Sequence, residues 1–232
     1  MLVCGLGFVN SPPKTAQTFV TFLRLEHIVI TIPLTPYNSD RMNTAEQERL
    51  EALRQYGIMD TPPEEEFDNI TSLASRICGT PISLITLLDD QRQWFKASVG
   101  IDLKETPIEY AFCAHAIRNP SEMTVVPDSR KDERFADNPF VTGEPHIVFY
   151  AGMPLVDEDG HALGSLCVLD VQEQRLSPFQ LTALQQLAKQ VVTLLQLKKK
   201  NRELEQLLDR LERENKSLEA ELRDLKGKGE GR

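Results

Sequence analysis

Cys113 and His115 stand on either side of Ala114, the one place in this chain where a thiol and an imidazole nearly touch in sequence. A cysteine there could attack, be oxidised or hold a ligand if its thiolate were favoured, and a histidine could serve as an axial ligand to a haem. Both also have ordinary structural readings, a buried core thiol and a surface or hydrogen-bonded imidazole. The four cysteines, Cys4, Cys78, Cys113 and Cys167, are far apart and form no C-x-x-C pair, so neither zinc nor a dithiol redox motif is suggested and no metal site is expected. Cys78 and Cys167 lie in apolar runs and are expected as reduced core residues. A disulfide framework does not suit a chain of this size and type.

The composition narrows the partners. A net charge of -9 over 232 residues leaves no basic face for nucleic acid, and 41% hydrophobic residues suffice for a true core. The apolar stretch from Phe19 to Leu34 is broken by Arg24, Glu26 and His27 and closed by Pro33, short of the roughly 20 clean residues a bilayer span needs. No membrane contact and a cytoplasmic location are expected. Residues 1–41 share no pattern with the rest of the chain. They are expected to be disordered or a mis-called start, with Met42 as the natural one; the alternative is a short accessory strand around Val29.

Three helix starts carry the same reciprocal cap, a hydroxyl three residues before Glu or Gln: Thr44 with Gln47, Thr61 with Glu64, Ser177 with Gln180. Pro62 and Pro178 fit the first helical position. The first helix ends at Gly57; the second carries Phe67, Ile70, Leu73, Ala74 and Ile77 on one face and ends at Gly79, a left-handed cap. Ile82 to Leu88 is almost wholly apolar, as in a strand covered on both faces, and Gln93 to Val99 alternates on the return. A second hairpin is predicted from Val148 to Val156 and Ala162 to Leu169 around Asp159-Gly160. Between them fall a short helix at Phe112 to Arg118, a strand at Thr124 to Pro127 and a helical segment at Arg134 to Val141. The fold class is α+β: one antiparallel sheet with helices packed against it, followed by a long C-terminal coiled-coil helix.

This order resembles the GAF domain family, through Phe112-Cys113-Ala114-His115-Ala116-Ile117, Val126-Pro127-Asp128 to Asp137-Asn138-Pro139, Phe149-Tyr150-Ala151-Gly152-Met153-Pro154-Leu155, and Leu163-Gly164-Ser165-Leu166-Cys167-Val168-Leu169-Asp170. It looks like the GAF modules of bacterial sensor histidine kinases and diguanylate cyclases. The resemblance implies a sheet of about six strands, with a pocket between one face and the helices around Phe112 and Phe135. It names no cofactor. A covalent bilin would want Cys directly before His, and here Ala114 intervenes. The residues typical of cyclic-nucleotide GAF domains are not found; Asp132-Glu133 lack their companions. Free methionine-(R)-sulfoxide reductases share the fold, and Cys113 falls near one of their cysteines. Their nucleophile is expected just after His146-Ile147, where this chain has Val148-Phe149-Tyr150, so sulfoxide reduction stands as an alternative and the protein is expected not to be an enzyme. The implied ligand set is Trp94, Cys113, His115, Phe135, Asn138, His146 and Tyr150, polar and aromatic tips around an apolar cleft. Singly, Trp94 reads as core, Phe135 as a packing anchor and Asn138 as a turn former.

From Asn201 the seam positions run Asn201, Leu204, Leu208, Leu211, Asn215, Leu218, Leu222, Leu225, spaced three and four without a break. Leucine at every second seam position with a recurring buried asparagine is the pattern of a parallel two-stranded coiled coil. The register runs back through Leu197, Leu194 and Leu187, and Lys198–Asn201 is expected as its weakest part. The division expected is a sensor domain over 42–176, helix and coiled coil over 177–226, and a flexible tail over 227–232. With no room to fold anything after the rod, the chain is expected to be a parallel homodimer that binds an unknown small molecule and signals through its rod to a separate output protein. A ligand-free dimerisation adaptor is the remaining alternative.

Overall fold

The computed structural model describes residues 44–229, with side chains to 223, and four residues nearer the N-terminus. Those four form β1 (Arg24–Leu25) and β2 (Ile28–Val29), antiparallel with Arg24 opposite Val29. They belong to a compact unit of residues 1–42, distinct from the unit of residues 43–232. The expectations for the rest of 1–41 and for 230–232 lie outside the described residues.

The second unit is built on a six-stranded antiparallel sheet in the order β5-β4-β3-β8-β7-β6. Its strands are β3 (Ile82–Leu88), β4 (Arg92–Val99), β5 (Glu105–Pro107), β6 (Thr124–Val126), β7 (Phe149–Val156) and β8 (Ala162–Asp170). β3 and β8 are central and buried along their whole length, which explains why their sequences are mostly apolar. They approach so closely that a Cβ on Gly164 would stand 1.8 Å from the carbonyl oxygen of Thr86.

On one face pack α1 (Thr44–Tyr56), α2 (Glu65–Cys78) and the first part of α5 (Pro178–Gly229). Leu53, Phe67, Ile85, Phe149, Leu166, Leu184, Val191 and Leu195 form this core. Leu184, Ala188, Val191 and Leu195 recur at spacings of four and three, so one stripe of α5 meets the sheet. Burying each of its large side chains stabilises the fold by about 1.5–3 kcal/mol. The other face carries a second core beneath α3 (Phe112–Ala116) and α4 (Pro139–Thr142), with Leu84, Phe95, Phe135, Tyr150 and Cys167. The helical segment expected from Arg134 shortens to α4. Asp132 and Asn138 accept backbone N–H bonds from Arg134 and Phe140 and close turns in its place.

Two of the helix-end devices form as expected. Gly79 takes φ 67° and returns its N–H to Ser75, and Ser177 exchanges bonds with Gln180, whose side-chain oxygen accepts from the Ser177 N–H at 2.8 Å. The Thr61 box does not form. α2 starts at Glu65 with no side-chain cap, because the Glu64 carboxylate is engaged elsewhere, by Lys96 at 2.6 Å and by Lys198. Lys96 reaches it through a bulge: the β3–β4 register passes from Ile85↔Ala97 to Thr86↔Phe95 and leaves Lys96 unpaired. Its ammonium, fully buried, also donates to Thr61 Oγ1 and to the Pro62 carbonyl, each at 2.8 Å.

Candidate functional site

The site is a small apolar pocket on the α3 face of the sheet. β3, β4, β7 and β8 supply Ile82, Leu84, Phe95, Tyr150, Cys167 and Leu169 as its floor, and Phe112, Cys113, Phe140 and Ile147 close it from above. The cavity measures about 40 Å³. No lysine, arginine or histidine lines it. Gln93 of β4 and Thr106 of β5 line it too, and Gln93 Oε1 and Thr106 Oγ1 are buried with no hydrogen-bond partner. Buried polar atoms are seldom left so; a molecule carrying a hydrogen-bond donor would satisfy them.

Of the seven residues expected to form a ligand set, only Cys113 and Tyr150 line this pocket. Trp94 is buried in the core on the opposite face of the sheet, beneath α2 and α5. Phe135 lies one layer behind the wall, stacked on Phe112 with ring centroids 4.3 Å apart, and half-buried His115 meets the edge of Phe135 at 4.8 Å. Burial, with Arg118 and Arg134 nearby, holds the His115 pKa below its ordinary value. Asn138 positions the wall: its amide donates to the Tyr110 carbonyl at 3.0 Å, and its oxygen accepts from the Phe140 N–H at 2.9 Å. The His146 side chain is 57% exposed and does not line the pocket.

Sequence reasoning missed Gln93 and Thr106. A glutamine alternating with apolar residues on a buried strand was a signal for the first. The second sits on β5, too short to show a period.

A carboxylate-and-imidazole group also occurs at the β7–β8 turn, where Asp157, Asp159 and His161 offer ligand atoms within 4.8 Å of one another. There Asp157 Oδ1 accepts the N–H groups of Asp159 and His161 and holds the turn.

Beyond the sheet, α5 leaves the domain through a clamp of basic side chains. Lys198 pairs with Glu64, Lys199 lies 5.0 Å over the Tyr56 ring, and Arg202 donates to the carbonyls of Tyr56, at 2.6 Å, and Gln55. A guanidinium on the last carbonyls of α1 suits both their unmet acceptors and the helix dipole. The stretch Lys198–Asn201 thus begins by facing the domain. Past it the leucines are open to solvent: Leu204, Leu208, Leu211, Leu218 and Leu222 are all exposed, Leu208 to 60%. Asn201 and Asn215 are exposed as well, and the Leu225 side chain lies outside the described ones. α5 continues to Gly229, into the segment expected as a tail. Among the described residues, no helix is long and apolar enough to cross a membrane.

A family model for the GAF domain matches residues 62–195, more than half of the chain. Among curated proteins, one named as a cyclic di-GMP phosphodiesterase from Pseudomonas aeruginosa is 45% identical over 135 residues, which is 58% of this chain and 22% of that protein. The chain therefore spans about a fifth of the length of the relative it matches. Among solved structures, the free methionine-R-sulfoxide reductase of Neisseria meningitidis, in complex with its substrate, gives a TM-score of 0.50 at 15% identity, covering 70% of this chain and 96% of that one. The GAF domain of an Acinetobacter phosphoenolpyruvate-protein phosphotransferase gives 0.49 at 20% identity, over 66% and 94%. At 15% identity the likeness to the reductase speaks for the fold alone.

One expectation is overturned. The protein was expected not to be an enzyme, yet the relative 45% identical to it is named as one. The expectation weighed only thiol chemistry and the length of this chain, and neither bears on phosphodiester hydrolysis. Family match, sheet order and helical cover agree, and the chain belongs to the GAF domain family.

Proposed function

We propose that this chain is a sensory unit of cyclic di-GMP signalling. Its pocket takes a small uncharged molecule, and its α5 rod joins two copies in parallel and passes the state of the pocket to a cyclic di-GMP phosphodiesterase activity. Gln93 Oε1 and Thr106 Oγ1, buried and unpaired in an otherwise apolar wall, carry the reading. They call for a ligand with an N–H or O–H donor, and a wall without cations does not suit the phosphates of a cyclic dinucleotide. The 45% identity to a protein named as a phosphodiesterase supports the pathway. The exposed leucine stripe supports the dimer, since a lone helix has nothing of its own to cover it. A cytoplasmic location fits a partner of that kind.

The path from pocket to rod is short. Gln93 and Phe95 line the pocket, the next residue, Lys96, holds Glu64, and Glu64 holds Lys198 at the root of the rod. A ligand acts along it only by favouring one of two arrangements of the helix pair. Native mass spectrometry of the purified chain is the test. A dimer retaining a small neutral molecule, lost on Gln93→Leu, is expected. A monomer, or a dimer that binds cyclic di-GMP itself in this pocket, would overturn the reading.

A further inference from the structure

The pocket holds two thiols, one in its helical cover and one in the sheet beneath. Cys113 on α3 and Cys167 on β8 both line the cavity, both are buried, and their sulfurs lie 3.7 Å apart although 54 residues separate them in the chain. The Tyr150 hydroxyl donates to Cys113 Sγ at 3.4 Å. Gly152 makes room for it, since a Cβ there would stand 2.0 Å from the hydroxyl oxygen.

The environment divides the roles of the two sulfurs. Burial pushes the Cys113 thiol up, but hydrogen bonds from Cys167, Ser165, Thr86 and Tyr150 outweigh it and hold the group below its ordinary value. Burial and the neighbouring Cys113 push Cys167 well up. One sulfur is suited to attack, the other to remain a protonated partner. The cavity of about 40 Å³ has room for a solute of two oxygen atoms, since one water needs about 10–15 Å³. Cys78 differs on each count: it sits in the core on the opposite face of the sheet, and burial pushes its thiol up to about 11.

We propose that Cys113 and Cys167 form an oxidation site, a dithiol that hydrogen peroxide entering the pocket converts to a disulfide. The Cys113 thiolate attacks one peroxide oxygen, the O–O bond breaks, and hydroxide leaves and is protonated to water. Cys113 is then a sulfenic acid. The Cys167 sulfur attacks the sulfenic sulfur as its own proton leaves, the S–S bond forms, the S–O bond breaks, and a second water departs. Two thiols and one peroxide give one disulfide and two waters, with two electrons passing from sulfur to oxygen. The sulfurs close from 3.7 Å to about 2.05 Å, which ties α3 to β8 across the pocket. The site goes beyond the sensory reading and needs no ligand, so either can fail alone.

The test uses the full chain with Cys4→Ser. Reduced protein is exposed to hydrogen peroxide, quenched with N-ethylmaleimide, digested without reduction and mapped by mass spectrometry, beside the same chain unfolded in urea. A Cys113–Cys167 peptide link that dithiothreitol reverses, formed several-fold faster in the folded chain than in urea, is expected. That comparison needs no core variant. Cys167→Ser should instead accumulate a dimedone-reactive sulfenic acid at Cys113, and Tyr150→Phe should slow the link several-fold. No link in the folded chain at a peroxide dose that oxidises the unfolded one, or oxidation of Cys78 ahead of Cys113, overturns the proposal.

Discussion

Glu64→Gln should destabilise the domain more than its surface position suggests. The Lys96 ammonium is 0% exposed and the Glu64 carboxylate 26%. Breaking a fully buried pair costs about 3–5 kcal/mol, because a charge is left without its counterpart, whereas an exposed pair is worth at most about 1 kcal/mol. Thr61 Oγ1 and the Pro62 carbonyl still accept from Lys96 after the change, and Glu64 is partly wet, so the cost should fall between those limits, about 2 kcal/mol. For a domain of this size that lowers Tm by about 4–8 °C. The assay is a circular-dichroism melt at pH 7 and one protein concentration, since the Tm of the proposed dimer would depend on it. Adding Lys96→Met to Glu64→Gln removes the stranded charge as well and should restore most of the loss. Lys198→Ala, whose side chain is 34% exposed, should cost about 1 kcal/mol at most. A single variant that melts with the wild type, or a double variant worse than either single one, would refute the argument that a buried ammonium depends on this carboxylate.

The same carboxylate sets a pH dependence. Burial raises the Glu64 pKa, but the hydrogen bonds from Lys198 and Lys96 outweigh it and leave it lowered. Its stabilisation is therefore present above the unfolded value, about 4.3, and is lost as pH falls through the folded one, so urea melts of wild type and Glu64→Gln should converge under acid conditions. Gly164→Ala, which forces a Cβ against the Thr86 carbonyl in the centre of the sheet, should lower the urea midpoint by an amount equivalent to about 1–3 kcal/mol or more. Leu211→Asp puts a charge into the exposed leucine stripe; light scattering should show a dimer for the wild type, as proposed, and a folded monomer for the variant, and a monomeric wild type ends the coiled-coil reading.

How far the sequence revealed this molecule depended on the range of the interaction. Hairpin turns, the glycine cap at Gly79 and the Ser177–Gln180 box are decided within a few residues, and each appears where expected. The faces of the long helices were legible from their period, because one stripe must meet the sheet, save that Leu73 of α2, read with that stripe, is 49% exposed. The pocket was far less so. Trp94 and His146 were chosen by residue type, but a side chain's face depends on strand register and a loop's direction on what packs beneath it. Trp94 therefore turned to the far core and His146 to solvent. Cys113 and Cys167 were each readable as buried, and only the pairing of β3 with β8 and the seat of α3 bring their sulfurs together.

Lys96 shows why such sites escape a periodic reading. Strict alternation along β4 puts Phe95 and Ala97 on one face and Trp94 and Lys96 on the other. The bulge inserts one residue, so Phe95 faces the pocket while Ala97 joins Trp94 in the opposite core. Nothing in the local sequence compels that insertion. What fixes it is a distant set of acceptors, Thr61, Pro62 and Glu64, gathered just before α2 around a single ammonium. A lysine between Phe95 and Ala97 looks like a solvated residue on a strand edge. Its buried position follows only once the carboxylate of Glu64, which the sequence offered as a helix cap, is seen to have a stronger claim on it. A charge-assisted bond to a dry ammonium outweighs a cap to a backbone N–H that water can reach, and the helix start gives way.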